Sequence, residues 1–406
     1  MKPGVSLVGD TSVARSHAPV SAWLRRRLAA LLEPAGVTLD GPNPWDPQIR
    51  RTRTFGRILR HGSLGAGDSY VDGDWECAAL DELTARLLAA GVDGTLARRG
   101  PAAFRDMLVA RFVDGHTRAR SSADIQSHYD VGNALYRAML GPTMTYSCGY
   151  WAGAATLEEA QDAKHELICR KLGLAPGMRV LDIGCGWGGF AAYAARHHGV
   201  HVTGITLSPA QAAFARERTQ DLSCHIRLVD YRDVDGLFDR ILSVGMFEHV
   251  GPPNYAQYFD TVARCLVPDG LFLLHTIGGL TSETTSDPWI TRHVFPGTVL
   301  PSAAQITRAI EGRFTLEDWH NFGADYDRTL MAWYHALDAA WPSLAHAELR
   351  HGTRADGLTA ADTDRLYRTW RYYLLTCAGT FRARRNQLWQ LVLSPRGVDG
   401  GYRRAS

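Results

Sequence analysis

The run Leu181-Asp-Ile-Gly-Cys-Gly-Trp-Gly-Gly189 carries the densest chemical signal in this 406-residue chain. Gly184 and Gly186 let a backbone come close to a bound molecule. With Gly189 they complete a G-x-G-x-x-G spacing. That spacing alone fits a tight strand-to-helix turn, a dinucleotide site or a site for another adenosine cofactor. A dinucleotide site wants an acid about 20 residues further on, for the ribose. Here the next strand ends Thr206-Leu-Ser-Pro-Ala-Gln211 with no acid in it. Asp182 stands two residues ahead of the glycines, the arrangement of an S-adenosylmethionine site, whose ligand lacks phosphates and carries an amino-acid end. The loop reads as an S-adenosylmethionine loop, with nicotinamide redox chemistry a distant alternative.

Such a loop needs a strand before it and a helix after it. Met178 to Ile183 is a short apolar strand, and Gly189 to His198 has the pattern of a helix. Val200 to Leu207, Ile226 to Asp230, Arg240 to Val244 and Leu271 to Ile277 are further strands, separated by helical or loop segments. Upstream, Thr156-Leu-Glu-Glu159 is a capping box that opens a helix running to Leu172. Downstream come two apolar stripes at helical spacing, Leu330, Trp333, Leu337, Trp341 and Leu366, Trp370, Tyr373, Cys377, Phe381. A last strand spans Gln387 to Leu393. Strands alternating with helices predict a doubly wound, Rossmann-like α/β domain with a parallel sheet, its ligand beyond the carboxyl ends of the strands.

The first 120 residues lack this alternation. Ser21 to Leu32 forms a helix with Leu24, Leu28 and Leu31 on one face, and Leu80, Leu83 and Leu87 mark another. Between them, Gly62 to Cys77 is crowded with glycine and acids. We expect a small, mainly helical domain over 1–110, a linker over 111–122 and an α/β domain over 123–406. Residues 1–120 hold 17 basic and 13 acidic residues, a net of 17 − 13 = +4 hidden in a total of +2. Three of the 44 basic residues are lysines (Lys2, Lys164, Lys171), a bias that reads as genome base composition.

Hydrophobic residues at 45% and charged residues at 21% exclude disordered and fibrous classes. No apolar run approaches the roughly 20 residues of a membrane-spanning helix. Met1 to Asp10 lacks the apolar core of a secretory signal, so a cytoplasmic location is expected. Seven cysteines without a C-x-x-C pair argue against disulfides and a structural metal. The absence of a dense basic stripe disfavours nucleic acid.

Several stretches together resemble the bacterial cyclopropane-fatty-acyl-phospholipid synthases and, more distantly, the mycolic acid cyclopropane synthases. They are Gly62-Ser-Leu-Gly, Asp72-Gly-Asp-Trp-Glu-Cys77, His128-Tyr-Asp-Val-Gly-Asn133, Tyr146-Ser-Cys-Gly-Tyr-Trp151 and Val180 to Gly189. Ser243 to Gly251, Leu274-His-Thr-Ile-Gly278, Glu317 to Tyr326 and Cys377 to Arg384 continue the match, so it runs from about residue 20 to the C-terminus. The resemblance implies a class I S-adenosylmethionine-dependent methyltransferase that adds a methylene across the cis double bond of phospholipid acyl chains. It implies a homodimer at the bilayer surface and a bound bicarbonate ion as base. By the matching motifs, Cys148, Glu248, His275, Tyr326 and the backbone of Ile277 would hold that ion.

The same resemblance places Tyr146, Ser147, Asp182, Gly184 and Gly186 around the methionine end and loop, Thr206 and Gln211 at the ribose, and Tyr231 and Arg232 by the adenine. His128 and Tyr129 would form a flap. Cyclopropane chemistry also needs a dry site with aromatic faces to stabilise a carbocation, for which Tyr129, Tyr136, Tyr146, Tyr150, Trp151 and Phe247 are candidates. His249 and Cys377 receive no role. The basic N-terminal portion and Arg111, Arg118 and Arg120 would meet anionic headgroups, at about 1 kcal/mol per basic residue. Rival readings are alkene methylation without ring closure, action on a small unsaturated metabolite, and a lipid- or cofactor-binding regulator without catalysis.

Overall fold

The computed structural model describes residues 18–92, 133–347 and 360–404. The expected linker 111–122 with its arginines, and the expected flap residues His128 and Tyr129, lie outside them. The chain divides into two compact units, Met1–Arg105 and Asp106–Ser406.

In the first unit, helices Ala18–Leu32, Arg53–Val71 and Leu80–Ala89 bury Leu28, Phe55, Tyr70 and Leu80, and two short strands, β1 (Gln48–Ile49) and β2 (Trp75–Glu76), pair antiparallel. The stretch crowded with glycine and acids is largely helical. Gly62 breaks the helix Arg53–Val71 with φ 57°, ψ −129°, a conformation that favours glycine. Beyond the break the chain presses back on itself: a Cβ on Gly65 would lie 2.1 Å from the Arg57 carbonyl oxygen. The acids act as a clamp. Asp74, fully buried, accepts from Arg53 at 2.6 and 2.8 Å and from Arg57 at 3.2 Å. Part of the basic charge in this unit is therefore already paired.

The second unit is built on seven strands, β3 (Arg179–Ile183), β4 (His201–Thr206), β5 (Cys224–Leu228), β6 (Phe238–Val244), β7 (Leu266–Gly279), β8 (Thr315–Asn321) and β9 (Asn386–Ser394). They form one sheet of order β5-β4-β3-β6-β7-β9-β8. β3 to β7 pair in parallel, whereas β9 slots antiparallel between β7 and β8. The sheet is thus mixed, and β8 is a strand that its polar sequence conceals. Val180 and Leu181 turn to opposite faces, as successive strand residues must. One joins a core with Ile168 and Phe190, the other a core with Phe259 and Val262.

β3 pairs with β4 on one side and β6 on the other. The chain winds outward through β4 and β5, then returns to build β6 and β7 on the opposite side. This reversal opens a crevice at the carboxyl ends of β3 and β6. Among the described residues, no helix is long and apolar enough to cross a membrane.

Candidate active site

The glycine loop lies in that crevice. Gly184 and Gly186 have φ of 86° and 54°. The N–H groups of Gly184 and Cys185 both donate to the Ile205 carbonyl at 2.9 Å, tying the loop to the end of β4. A Cβ on Gly184 would sit 2.8 Å from the Met246 Cβ. The backbone here must therefore be bare to make room for the Met246 side chain just after β6.

All nine expected cofactor residues line one pocket: Tyr146, Ser147, Asp182, Gly184, Gly186, Thr206, Gln211, Tyr231 and Arg232. Thr206 donates to Gln211 at 2.9 Å, a neutral pair where a dinucleotide site would carry an acid. Arg232 is forked onto Asp230 at 2.8 and 2.6 Å at the pocket wall. Asp182 is 2% exposed, and burial raises its carboxyl to about 7 against the pull of Lys164. His249, given no role from sequence, also lines this pocket, with its Nδ1 3.3 Å from the Thr298 hydroxyl. Glycines for close approach, one buried acid and neutral ribose partners fit S-adenosylmethionine.

The five residues expected to hold an anion do not line this pocket. Glu248 follows β6 in a short turn, Phe247–His249, and is buried. Its Oε1 accepts the Ile277 N–H at 2.7 Å, while its buried Oε2 makes no hydrogen bond, although the Thr276 side chain is close enough to favour the ionised form. Desolvation raises this carboxyl to about 7, opposed by the Ile277 N–H. His275 sits on the same face of β7 as Ile277. The register sets Gln390 of β9 opposite it, and the Gln390 amide nitrogen lies 3.2 Å from its Nδ1. Its Nε2 is buried with no partner, and burial keeps the ring neutral by pushing its pKa well below the usual range.

Tyr326 lies in the first turn of the helix Ala324–Ala347, its ring 4.5 Å from that of Phe381. Cys148 and Glu248 both act on its phenol, whose pKa burial lifts far above normal. Cys148 is held as a neutral thiol by burial, its Sγ 3.1 Å from the Gly149 carbonyl oxygen. Thr329 anchors its loop: its hydroxyl oxygen accepts from the Gly149 N–H at 3.1 Å and from Trp151 Nε1 at 2.8 Å. Neighbours in sequence part company here: Ser147 and His249 line the pocket, whereas Cys148 and Glu248 are buried and do not line it.

The aromatic candidates separate by position. Tyr146 lines the pocket and pairs its hydroxyl with that of Tyr373 at 3.0 Å. Tyr136 packs edge-on to Tyr146 and Trp370. Phe247 is core, stacked on Tyr255 at 4.3 Å. Cys377, left aside from sequence, has its thiol held up to about 12 by burial. Sequence reasoning missed Gln161, Lys164, Thr329 and Gln390. Lys164 had one signal, being a lysine in a chain that otherwise spends 44 − 3 = 41 basic positions on arginine.

A seven-stranded sheet with its last strand reversed, and a glycine loop with Asp182 at the switch point, define a class I S-adenosylmethionine-dependent methyltransferase. A family model described as mycolic acid cyclopropane synthetase matches residues 116–391. The chain belongs to that cyclopropane synthase family. It is 49% identical over 376 residues to the cyclopropane-fatty-acyl-phospholipid synthase of Escherichia coli K12, covering 92% of this chain and 94% of that protein. A probable fatty acid methyltransferase of Mycobacterium tuberculosis is 35% identical, over 91% of this chain and 88% of its own length. The solved mycolic acid cyclopropane synthase complexed with SAH and CTAB is 33% identical with a TM-score of 0.59, covering 67% of this chain and 97% of that one.

Proposed function

We propose that the chain converts the cis double bond of unsaturated phospholipid acyl chains into a cyclopropane ring, with bicarbonate as the base. S-adenosylmethionine, when bound, supplies the methyl carbon. The observation that carries the reading is the pair of orphaned buried atoms, Glu248 Oε2 and His275 Nε2. A buried polar atom without a partner asks for a ligand to satisfy it. A bicarbonate ion has the complementary chemistry, an O–H for the carboxylate and oxygen acceptors for the ring N–H. A Gln390 amide that donates to Nδ1 would leave the ring proton of His275 on Nε2, ready to donate. Cys148 and Tyr326 would add a thiol and a hydroxyl. Glu248 would orient the ion's O–H and draw on its proton.

The family relationship supports the substrate class. Two-domain length is shared with the phospholipid synthase of Escherichia coli. Docking at the inner face of the membrane, as a homodimer, belongs to the same proposal. Val20 and Trp23 are 56% and 50% exposed on the helix Ala18–Leu32, beside Arg25 to Arg27, an apolar-and-basic combination suited to an anionic lipid surface. Alkene methylation without ring closure is the second reading, favoured by the relative named a probable fatty acid methyltransferase.

The test is to incubate the protein with S-adenosylmethionine, bicarbonate and vesicles of cis-unsaturated phospholipid, then analyse the acyl chains. The reading expects one added CH2, lost olefinic protons and new cyclopropyl protons. Unaltered acyl chains, or a methyl branch beside a retained double bond, would count against it.

A further inference from the structure

Lys164 belongs to the helix Leu157–Leu172, which the capping box of Thr156 and Glu159 starts. Its side chain is 1% exposed and lines the cofactor pocket. The ammonium donates to the Ser147 hydroxyl at 2.8 Å and to Gln161 Oε1 at 2.6 Å. An ammonium has three N–H donors, so these two bonds leave one unspent. Both partners are neutral, and Gln161 is itself pinned by donating to the Ser147 carbonyl at 2.9 Å.

The pocket's charges are few. Arg232 is already forked onto Asp230. His165, next to Lys164, is kept neutral by burial. Apart from His249, which contacts Thr298, that leaves Lys164 and Asp182, which act on one another electrostatically and are each driven by burial toward the neutral form. A buried cation and a buried anion lining one pocket match a ligand end that carries one of each. The amino-acid end of S-adenosylmethionine is such a zwitterion.

We propose that Lys164 is the seat of the cofactor's carboxylate, with its third N–H as the donor and Ser147 held beside it as a second one. This rests on the pocket's being the S-adenosylmethionine site. Lysine suits the position better than arginine, because a compact ammonium can serve Ser147, Gln161 and one carboxylate oxygen at once, where a planar fork would displace the loop. In a chain so poor in lysine, the choice of this residue has a physical reason. Lys164 is here a binding residue and takes no part in moving protons.

Two ligands separate this role from a structural one: S-adenosylhomocysteine, and 5′-methylthioadenosine, which keeps the adenosine thioether and lacks the amino-acid end. Calorimetric titration of Lys164→Met is expected to show S-adenosylhomocysteine weakened roughly 10-fold or more, the worth of a charged hydrogen bond. 5′-Methylthioadenosine should bind as to the unmodified protein. Lys164→Gln, which keeps a donor for Ser147 without the charge, is read the same way and serves if the methionine variant does not fold. Equal weakening of both ligands, or no weakening of either, overturns the proposal. An unmodified protein that binds neither ligand contradicts the reading of the pocket itself.

Discussion

Glu248 and Ile277 are joined by a hydrogen bond of 2.7 Å, from the N–H of β7 to one carboxylate oxygen of the turn after β6. The bond ties the carboxylate to the end of β7 and leaves Oε2 buried without a hydrogen bond. Glu248→Gln keeps an acceptor for Ile277 and removes the basic oxygen. Turnover should fall by about 10²- to 10⁴-fold, the contribution of a positioned acid–base group. Calorimetric binding of S-adenosylhomocysteine should stay within about 3-fold, since Glu248 does not line that pocket. Near-normal turnover would remove Glu248 from the mechanism.

The same carboxyl gives a pH signature. Its folded pKa of about 7 lies above the ordinary 4.5, so its ionised form, the one able to draw a proton, accumulates as pH rises through 7. At fixed bicarbonate concentration, kcat/KM should climb through that range and then level. Stability should move the other way. A carboxyl with a raised folded pKa contributes stability that is present below 4.5 and lost as pH rises through 7. Asp182 is shifted in the same direction and adds to the effect. Comparing Tm of the unmodified protein and Glu248→Gln across pH 4.5 to 7 isolates the Glu248 part, with the variant losing less.

Gly184 is the point where the cofactor loop tolerates no side chain. Gly184→Ala places a methyl 2.8 Å from the Met246 Cβ at a φ of 86°. The strain should cost about 1–3 kcal/mol and shift the loop out of the pocket. The expected result is a lower Tm together with lost S-adenosylhomocysteine binding. Retained binding at full affinity would mean that the loop does not approach the ligand.

Thr329 joins two donors of the Cys148 loop to the helix Ala324–Ala347. Thr329→Val leaves the Gly149 N–H and the Trp151 indole N–H without an acceptor in a buried site. Each orphan costs about 1–3 kcal/mol, so chemical denaturation should show a loss of about 2–6 kcal/mol. Thr329→Ser, which keeps the hydroxyl, should lose much less. A loss in Thr329→Ser as large as or larger than that in Thr329→Val would show that the hydroxyl is not the anchor.

The glycine loop, its flanking strand and helix, and the strand ends holding Glu248 and His275 were legible in the sequence, because glycine spacing and apolar runs report local backbone needs directly. β8 was not legible. Thr315-Leu-Glu-Asp-Trp-His-Asn321 is an edge strand with Leu316 41% exposed, so it lacks the apolar alternation that marks a half-buried strand. The helix around Gly62 was hidden for the opposite reason: glycines that read as turns serve a helix break and a close backbone approach. Lys164, Gln161 and Thr329 escaped because polar residues on a helix read as solvent-facing. Only the packing of the Tyr146–Trp151 loop against two helices buries them. The bias toward arginine, taken from sequence as a mark of the genome, acquires an exception, since two of the three lysines, Lys164 and Lys171, are 1% exposed.

In the proposed reaction the transferred carbon loses a proton and closes a ring. S-adenosylmethionine carrying a fully deuterated methyl group tests it most directly, with unsaturated phospholipid vesicles as acceptor and mass spectrometry of the acyl chains as readout. Ring closure predicts a bridge that keeps two of the three deuterium atoms, with no double bond left at that position. An acyl chain that keeps all three, as a deuterated methyl branch, would contradict it.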